Sequence, residues 1–336
     1  MTGQPYIVHG ALGSPYSLKI RAVMRYRRLP HIWMHGLATH GAALTQVKAP
    51  VIPVVQFPDG SWHNDSTPLI YALEAAHSAR SIVPEDSGQA FLAHLIEDFA
   101  DEWLTKAMFG WRWLAEADQE QMSRWLAFDA FKGGGLERSL GHAAMFRDRQ
   151  VGRMAIVGCT AENFPLIERS ARDVLAALEG LVVDRHCLFG TRPSLAEFGL
   201  FGQISQFGVD PTPQAIMRGD YPYTYRWLEH VDDMSGVEGE WDAPEAALPD
   251  AVASILKVIG SVYLPFLIAN AKALAAGEES VRLTALGHDY RQGVFKYQAK
   301  CLADLRARYA ALPDAARVRI EPLLADAGCL EPMVTS

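Results

Sequence analysis

Cysteine is scarce: four in 336 residues, Cys159, Cys187, Cys301 and Cys329, no two of them at C-x-x-C spacing. This excludes a zinc ribbon and an active-site dithiol. His40, His63 and His94 also lack ligand spacing, so no metal is expected and each reads as a surface or satisfied core histidine. Positive charge is short as well. Lys+Arg total 31 against 39 Asp+Glu, a formal net charge of −8, which lacks the basic footprint of non-specific nucleic-acid binding. The clusters "RYRR" (25–28) and "RARYAALPDAARVR" (306–319) read as solvated helix faces. The opening "MTGQPYIVHG" has no basic region followed by an apolar run and is not read as a signal peptide. With scattered single cysteines, this sets the expectation of a cytoplasmic protein with reduced thiols. A long unbroken apolar run is missing too. Residues 251–277 come nearest, but Lys257, Pro265, Asn270 and Lys272 interrupt them, so they read as one or two buried or amphipathic helices, and no membrane partner is expected.

Hydrophobic residues make up 49% of the chain and charged ones 21%. At this length two domains are expected, with room for a third piece. Residues 5–80 alternate in character. "PYIVHG" suits a strand, and "SPYSLKIRAVMRYRRL" sets Ile20, Val23, Met24 and Leu29 on one helical face, with Arg21, Arg25 and Arg28 turned away. "IWMHGL" suits a second strand. "VIPVVQF" and "SWHND" flank an Asp59-Gly60 turn, which tolerates the positive φ of a tight hairpin. "STPLIYALEAAH" follows as a helix with Ser66 at its N-cap and Pro68 in its first turn. The expected order is β-α-β-β-β-α. From about residue 88 the spacing is helical, as in Leu92, Leu95, Ile96 and Phe99. Gly, Pro and acids concentrate at 234–250, which reads as a linker before further helix and a possible strand in "ESVRLTAL".

Three features fall in register. Ser14 ends the turn after the first strand, at the amino end of a helix whose unpaired N–H groups and partial positive charge favour an anion or thiolate. Pro53 lies within an apolar strand, where a residue that cannot donate to the ladder marks an edge, a bulge or a cis bond. If that bond is cis, the Ile52 backbone is free to pair with a peptide ligand. Asp65-Ser66 opens the next helix, where a carboxylate suits an ammonium and the hydroxyl with nearby N–H groups suits a carboxylate. Each has a plainer alternative: a helix cap, a structural proline, a solvated helix start.

Together, "GSPYS", "VIPVV" and "NDSTPLIYALE" resemble the thiol-site turn, the Val-Pro element and the acidic-Ser element of cytosolic glutathione transferases. "LFGTRPSLAEFGLFGQI" resembles their helical-domain capping motif, with Ser194 and Glu197 in the capping-box positions. The resemblance spans about residues 5–235. It implies an α/β thioredoxin-like domain (1–82), an all-α glutathione transferase domain (88–235) and, beyond the family's usual length, a mostly helical extension (240–336). It further implies an enzyme that activates glutathione as co-substrate for attack on a small hydrophobic electrophile, working as a homodimer. Ser14 stands where redox relatives carry cysteine, which argues against mixed-disulfide chemistry and fits serine-type transferases. Tyr16 is a rival thiolate donor, and Asp65 replaces the more usual Glu or Gln. Carried over, the glutathione contacts are Tyr16, Ser17, Lys48, Ile52, Pro53, Asp65 and Ser66. Trp103 and Trp111, with Trp113 and Phe109, are candidates to line the acceptor pocket, although large aromatics at helical spacing serve a core equally well. The alternative reading is a non-catalytic glutathione transferase-like binding module, with the extension as a partner surface or a lid.

Overall fold

The computed structural model describes residues 4–132 and 134–334. Strand β1 (Tyr6–His9) leads through the 10–14 turn into α1 (Pro15–Tyr26), followed by β2 (His31–Met34) and α2 (Leu37–Leu44). The hairpin β3 (Val54–Gln56) and β4 (Trp62–Asn64) precedes α3 (Ser66–Ala76). The sheet order is β2-β1-β3-β4, with β1 parallel to β2 and antiparallel to β3. This is the mixed sheet of a thioredoxin-like domain. The expected order omitted α2, whose eight residues carry Gly41 and no clear apolar stripe. Ile20, Val23, Met24 and Leu29 are buried as their spacing implied. The arginines assigned to solvent are instead spent on other elements. Arg21 and Arg25 bind Asp232, Arg27 is buried against Glu74, and Arg28 binds Glu238.

A helical layer follows. Helix α4 (Ser87–Phe99) continues through one widened turn (Ala100–Leu104) into α5 (Thr105–Leu114). After it come α6 (Glu116–Phe131), α7 (Leu136–Val151), α8 (Phe164–Val182), α9 (Leu195–Phe207), α10 (Pro211–Asp220) and α11 (Pro222–Asp232). All of α9 is buried, and the Ser194–Glu197 capping box opens it as the sequence implied. Buried N–H groups at a helix start need such partners. Glu197 satisfies two, accepting from the Ser194 and Leu188 amides at 2.6 Å each. Gly199 and Gly202 let α9 approach its neighbours closely: a Cβ at Gly199 would lie 2.9 Å from the Glu97 Cα, and one at Gly202 3.1 Å from the Pro15 carbonyl oxygen.

Beyond it, α12 (Asp250–Val258) runs through a second widened turn (Ile259–Tyr263) into α13 (Leu264–Ala275). This stretch is long and apolar enough to cross a bilayer, and 61% of its most apolar window is covered inside the molecule. A hairpin of β5 (Ser280–Ala285) and β6 (His288–Gly293) precedes α14 (Lys296–Ala310), α15 (Asp314–Asp326) and α16 (Leu330–Val334). Strand β6 was not foreseen. Its turn places Leu286 and Gly287 at φ of +48° and +78°, the mirror-image geometry that suits a two-residue hairpin. The extension shares the core of the helical layer, since α12 packs on α8, α15 on α4, and Trp103 lies against Phe266 and Tyr290. The 234–250 segment is irregular but not loose. Arg80 holds Glu238, Arg185 holds Asp242, and Thr191 and Glu240 exchange backbone and side-chain bonds.

Candidate functional site

Ser14 caps α1, and its Oγ accepts from the Ser17 amide at 3.3 Å. A capping hydroxyl acts as acceptor, which leaves its proton available for another partner. The turn that carries it is held from behind by the helical layer. Arg112 donates to the Gly13 carbonyl at 2.9 Å, and Gln206 donates to the Leu12 carbonyl at 3.1 Å. The same guanidinium forks onto Asp210 at 2.8 and 2.9 Å and reaches Gln206 at 2.7 Å, all within a buried cluster. Sequence reading missed Arg112 and Gln206, because their partners lie 94 to 194 positions away and no local pattern marks them.

Ser14 opens onto a cavity of about 390 Å³. One wall is the 11–16 turn with Ile52, and the other includes Met108, Phe109, Trp113, Leu126 and Phe146, with Arg112, Asp129 and Gln150 as its polar members. His40 and His142 also face it, and burial pushes both imidazoles below their ordinary pKa, towards the neutral form. The site is therefore largely apolar, with a hydroxyl at a helix terminus on its rim. The Ile52–Pro53 peptide is cis, and Pro53 is buried while Ile52 is partly exposed at the cavity.

The structure treats the other expected contacts differently. Tyr16 borders the cavity, but its hydroxyl donates to the Asp101 carbonyl at 2.9 Å and approaches Thr105 Oγ1 at 3.3 Å. Burial foremost, then Asp101, raises its phenol well above the usual value. Its proton is committed, whereas that of Ser14 is not. Ser17 is fully buried, so its side chain is no glutathione contact. Lys48 is exposed between α2 and β3. Trp103 and Trp111 are corrections: both are core residues. Trp103 is 0% exposed and donates to Ser170 at 2.8 Å, and Trp111 packs between Phe164 and Phe207. Trp113 and Phe109 supply the aromatic wall instead.

At the start of α3, Asp65, not Ser66, takes the N-cap position, at φ +70° and without a side-chain cap bond. A non-glycine residue there is strained, and such strain gathers at functional positions. Ser66 is only 3% exposed. Its hydroxyl points inward, accepting from Lys19 Nζ at 3.3 Å and donating to Asp101 Oδ2 at 3.1 Å, so it is not free to hold a ligand carboxylate. Lys19 is buried beneath it between Glu97 and Asp101, the latter at 2.6 Å. Burial opposes the ammonium, but the two carboxylates outweigh it and hold its pKa up. Burial foremost, with Glu97 beside it, raises the Asp101 carboxyl above its ordinary value against the pull of Lys19. A buried ion triad of this kind orients Ser66 and the start of α3.

Residues 13–76 match the family model described as glutathione S-transferase, N-terminal domain. The chain carries a glutathione S-transferase N-terminal domain. No curated protein matches it. Among solved structures it is similar to a glutathione S-transferase from Methylobacterium radiotolerans in complex with glutathione sulfonate, at 20% identity and TM-score 0.41, covering 69% of this chain and 92% of that one. It is also similar to one from Rhodospirillum rubrum (15%, TM-score 0.44, covering 67% and 87%) and to a Tau class enzyme from mango, Mangifera indica (15%, TM-score 0.44, covering 68% and 89%). Likenesses this distant fix neither ligand nor chemistry here. Ser14, Ile52 and Asp65 all lie within the matched residues 13–76.

Proposed function

We propose that the chain binds glutathione along the 14–52–65 line, with Ser14 stabilising the thiolate, and delivers that thiolate to a small hydrophobic electrophile in the adjoining cavity. The observation that supports this best is that Ser14 and Ile52 line one apolar cavity whose far wall is Phe109, Trp113 and Phe146. Magnitudes make a serine sufficient. A thiol of pKa ~8.5 is only about 3% ionised at pH 7, and one unit of depression corresponds to ~1.4 kcal/mol. One hydrogen bond to a charged group contributes ~1.5–3 kcal/mol and the helix terminus ~0.3–1 more, together one to three units. The thiolate, not the thiol, is the nucleophile. It forms the new C–S bond while the leaving group departs with the bonding pair, or, in an addition, while the electrophile's π pair shifts onto the far atom and takes up a proton from water.

Backbone groups of Ile52 pair with the cysteinyl part in this reading, and Asp65 with the γ-glutamyl ammonium. Lys48 remains the candidate for the glycine carboxylate. The tripartite division at about 82 and 240, the cytoplasmic setting and the homodimer belong to the same reading, the last testable by light scattering. The test of function is turnover. Incubation with glutathione and an activated aryl halide is expected to give the thioether, and Ser14→Ala is expected to cut kcat/KM at least tenfold. A chain that binds glutathione yet forms no thioether with aryl halides, enones or epoxides would instead be a binding module.

A further inference from the structure

Among the described residues the C-terminal extension does not line the Ser14 cavity, but it does reach Asp65. Tyr297, at the start of α14, donates its hydroxyl to Asp65 Oδ2 at 3.1 Å, across 232 positions of sequence. The phenol also lines a second cavity of about 260 Å³, shared with Asp101, Glu102, Phe295 and Gln298. Tyr16, Thr105 and Phe109 border both cavities, so the second adjoins the first across these side chains. The segment carrying Tyr297 is fixed. Buried Asn270 clasps the Phe295 backbone on both sides, donating to its carbonyl at 2.8 Å and accepting from its amide at 2.9 Å. Next to it, Gln298 accepts from Gln292, which itself accepts from buried Lys106 at 2.7 Å.

From this geometry we infer that the extension completes the amino-terminal end of the ligand site, with Tyr297 as the positioning residue for Asp65. Asp65 makes no cap bond to its own helix, so its carboxylate has nothing local to fix its rotamer. Tyr297 supplies that constraint through one oxygen and leaves the other for a ligand ammonium. A group held in its bound geometry before the ligand arrives loses less freedom on binding. The extension is thereby a fixed third wall of the site, contributed in cis, and it selects ligands with an α-ammonium.

The inference rests on the glutathione reading above, and calorimetric titration of the full-length chain separates the two. Tyr297 is 48% exposed, so Tyr297→Phe removes one hydroxyl without opening the core. The ligands are glutathione and glutaryl-cysteinylglycine, which lacks only the α-ammonium. Tyr297→Phe is expected to weaken glutathione about 3- to 10-fold, the worth of one net hydrogen bond. Its effect on the desamino ligand and on the pKa of the bound thiol should be absent. In an Asp65→Asn background the same substitution should add nothing further. Equal losses for both ligands, or no loss for glutathione, overturn the role of Tyr297 while leaving the glutathione reading intact. Failure of the unaltered chain to bind glutathione overturns both.

Discussion

Glu102 carries the sharpest prediction at the scale of a single residue. Burial first, with Asp98 and Asp101 beside it, pushes its carboxyl up to about 8, although Lys106 pulls the other way. A carboxyl raised on folding favours the protonated native state. Its contribution to stability is therefore full below pH ~4.5 and is lost as pH rises through about 8. Thermal melts should show Glu102→Gln raising Tm relative to the unaltered chain at pH 8 and leaving it nearly unchanged at pH 4. Equal shifts at both pH values would contradict the assignment. Ser14, Pro53 and Asp65 were legible from the sequence because each follows a local rule: a cap, a ring without an N–H, an acid at a helix start. The inward turn of Ser66 was not, since it depends on Lys19, Glu97 and Asp101, which come together only through packing of α1 against the long helix.

The turn that presents Ser14 is held by elements far from it in sequence. Arg112 on α5 ties the Gly13 carbonyl to Asp210 at the start of α10. Breaking a buried ion pair leaves an uncompensated charge and costs about 3–5 kcal/mol. Arg112→Ala should lower unfolding free energy by that order in urea titrations, and should also weaken glutathione through the loosened turn. A loss below 1 kcal/mol would mean the pair is not buried in solution. At this scale the capping box of α9 was readable because it lies within four residues. Helix α2 and strand β6 were not. The first is short with a glycine inside it, and the second, "HDYRQG", turns only Tyr290 and Gln292 inward, so its alternation is written partly in polar residues.

Across the whole molecule, the 234–250 segment looked like a linker because composition reports lack of regular structure, not lack of anchorage. The extension beyond it is bonded into the same core as the helical layer, through Trp103 against Phe266 and Tyr290 and through Tyr263 to Asp98 at 2.6 Å. Unfolding should be one cooperative transition, with far-ultraviolet and tryptophan signals coinciding. Two separated transitions would show an independent extension. For the same reason, truncation near 238 would strip the core rather than remove a lid, and point substitutions are the proper probe of the site. The central claim is that Ser14 holds a thiolate it does not own. Ultraviolet thiolate absorbance of bound glutathione against pH, for the unaltered chain and Ser14→Ala, tests it most directly. The expected result is a bound-thiol pKa at least about one unit below that of the free thiol, returned towards it by the substitution. Binding with no shift, or a shift that Ser14→Ala leaves untouched, would contradict it.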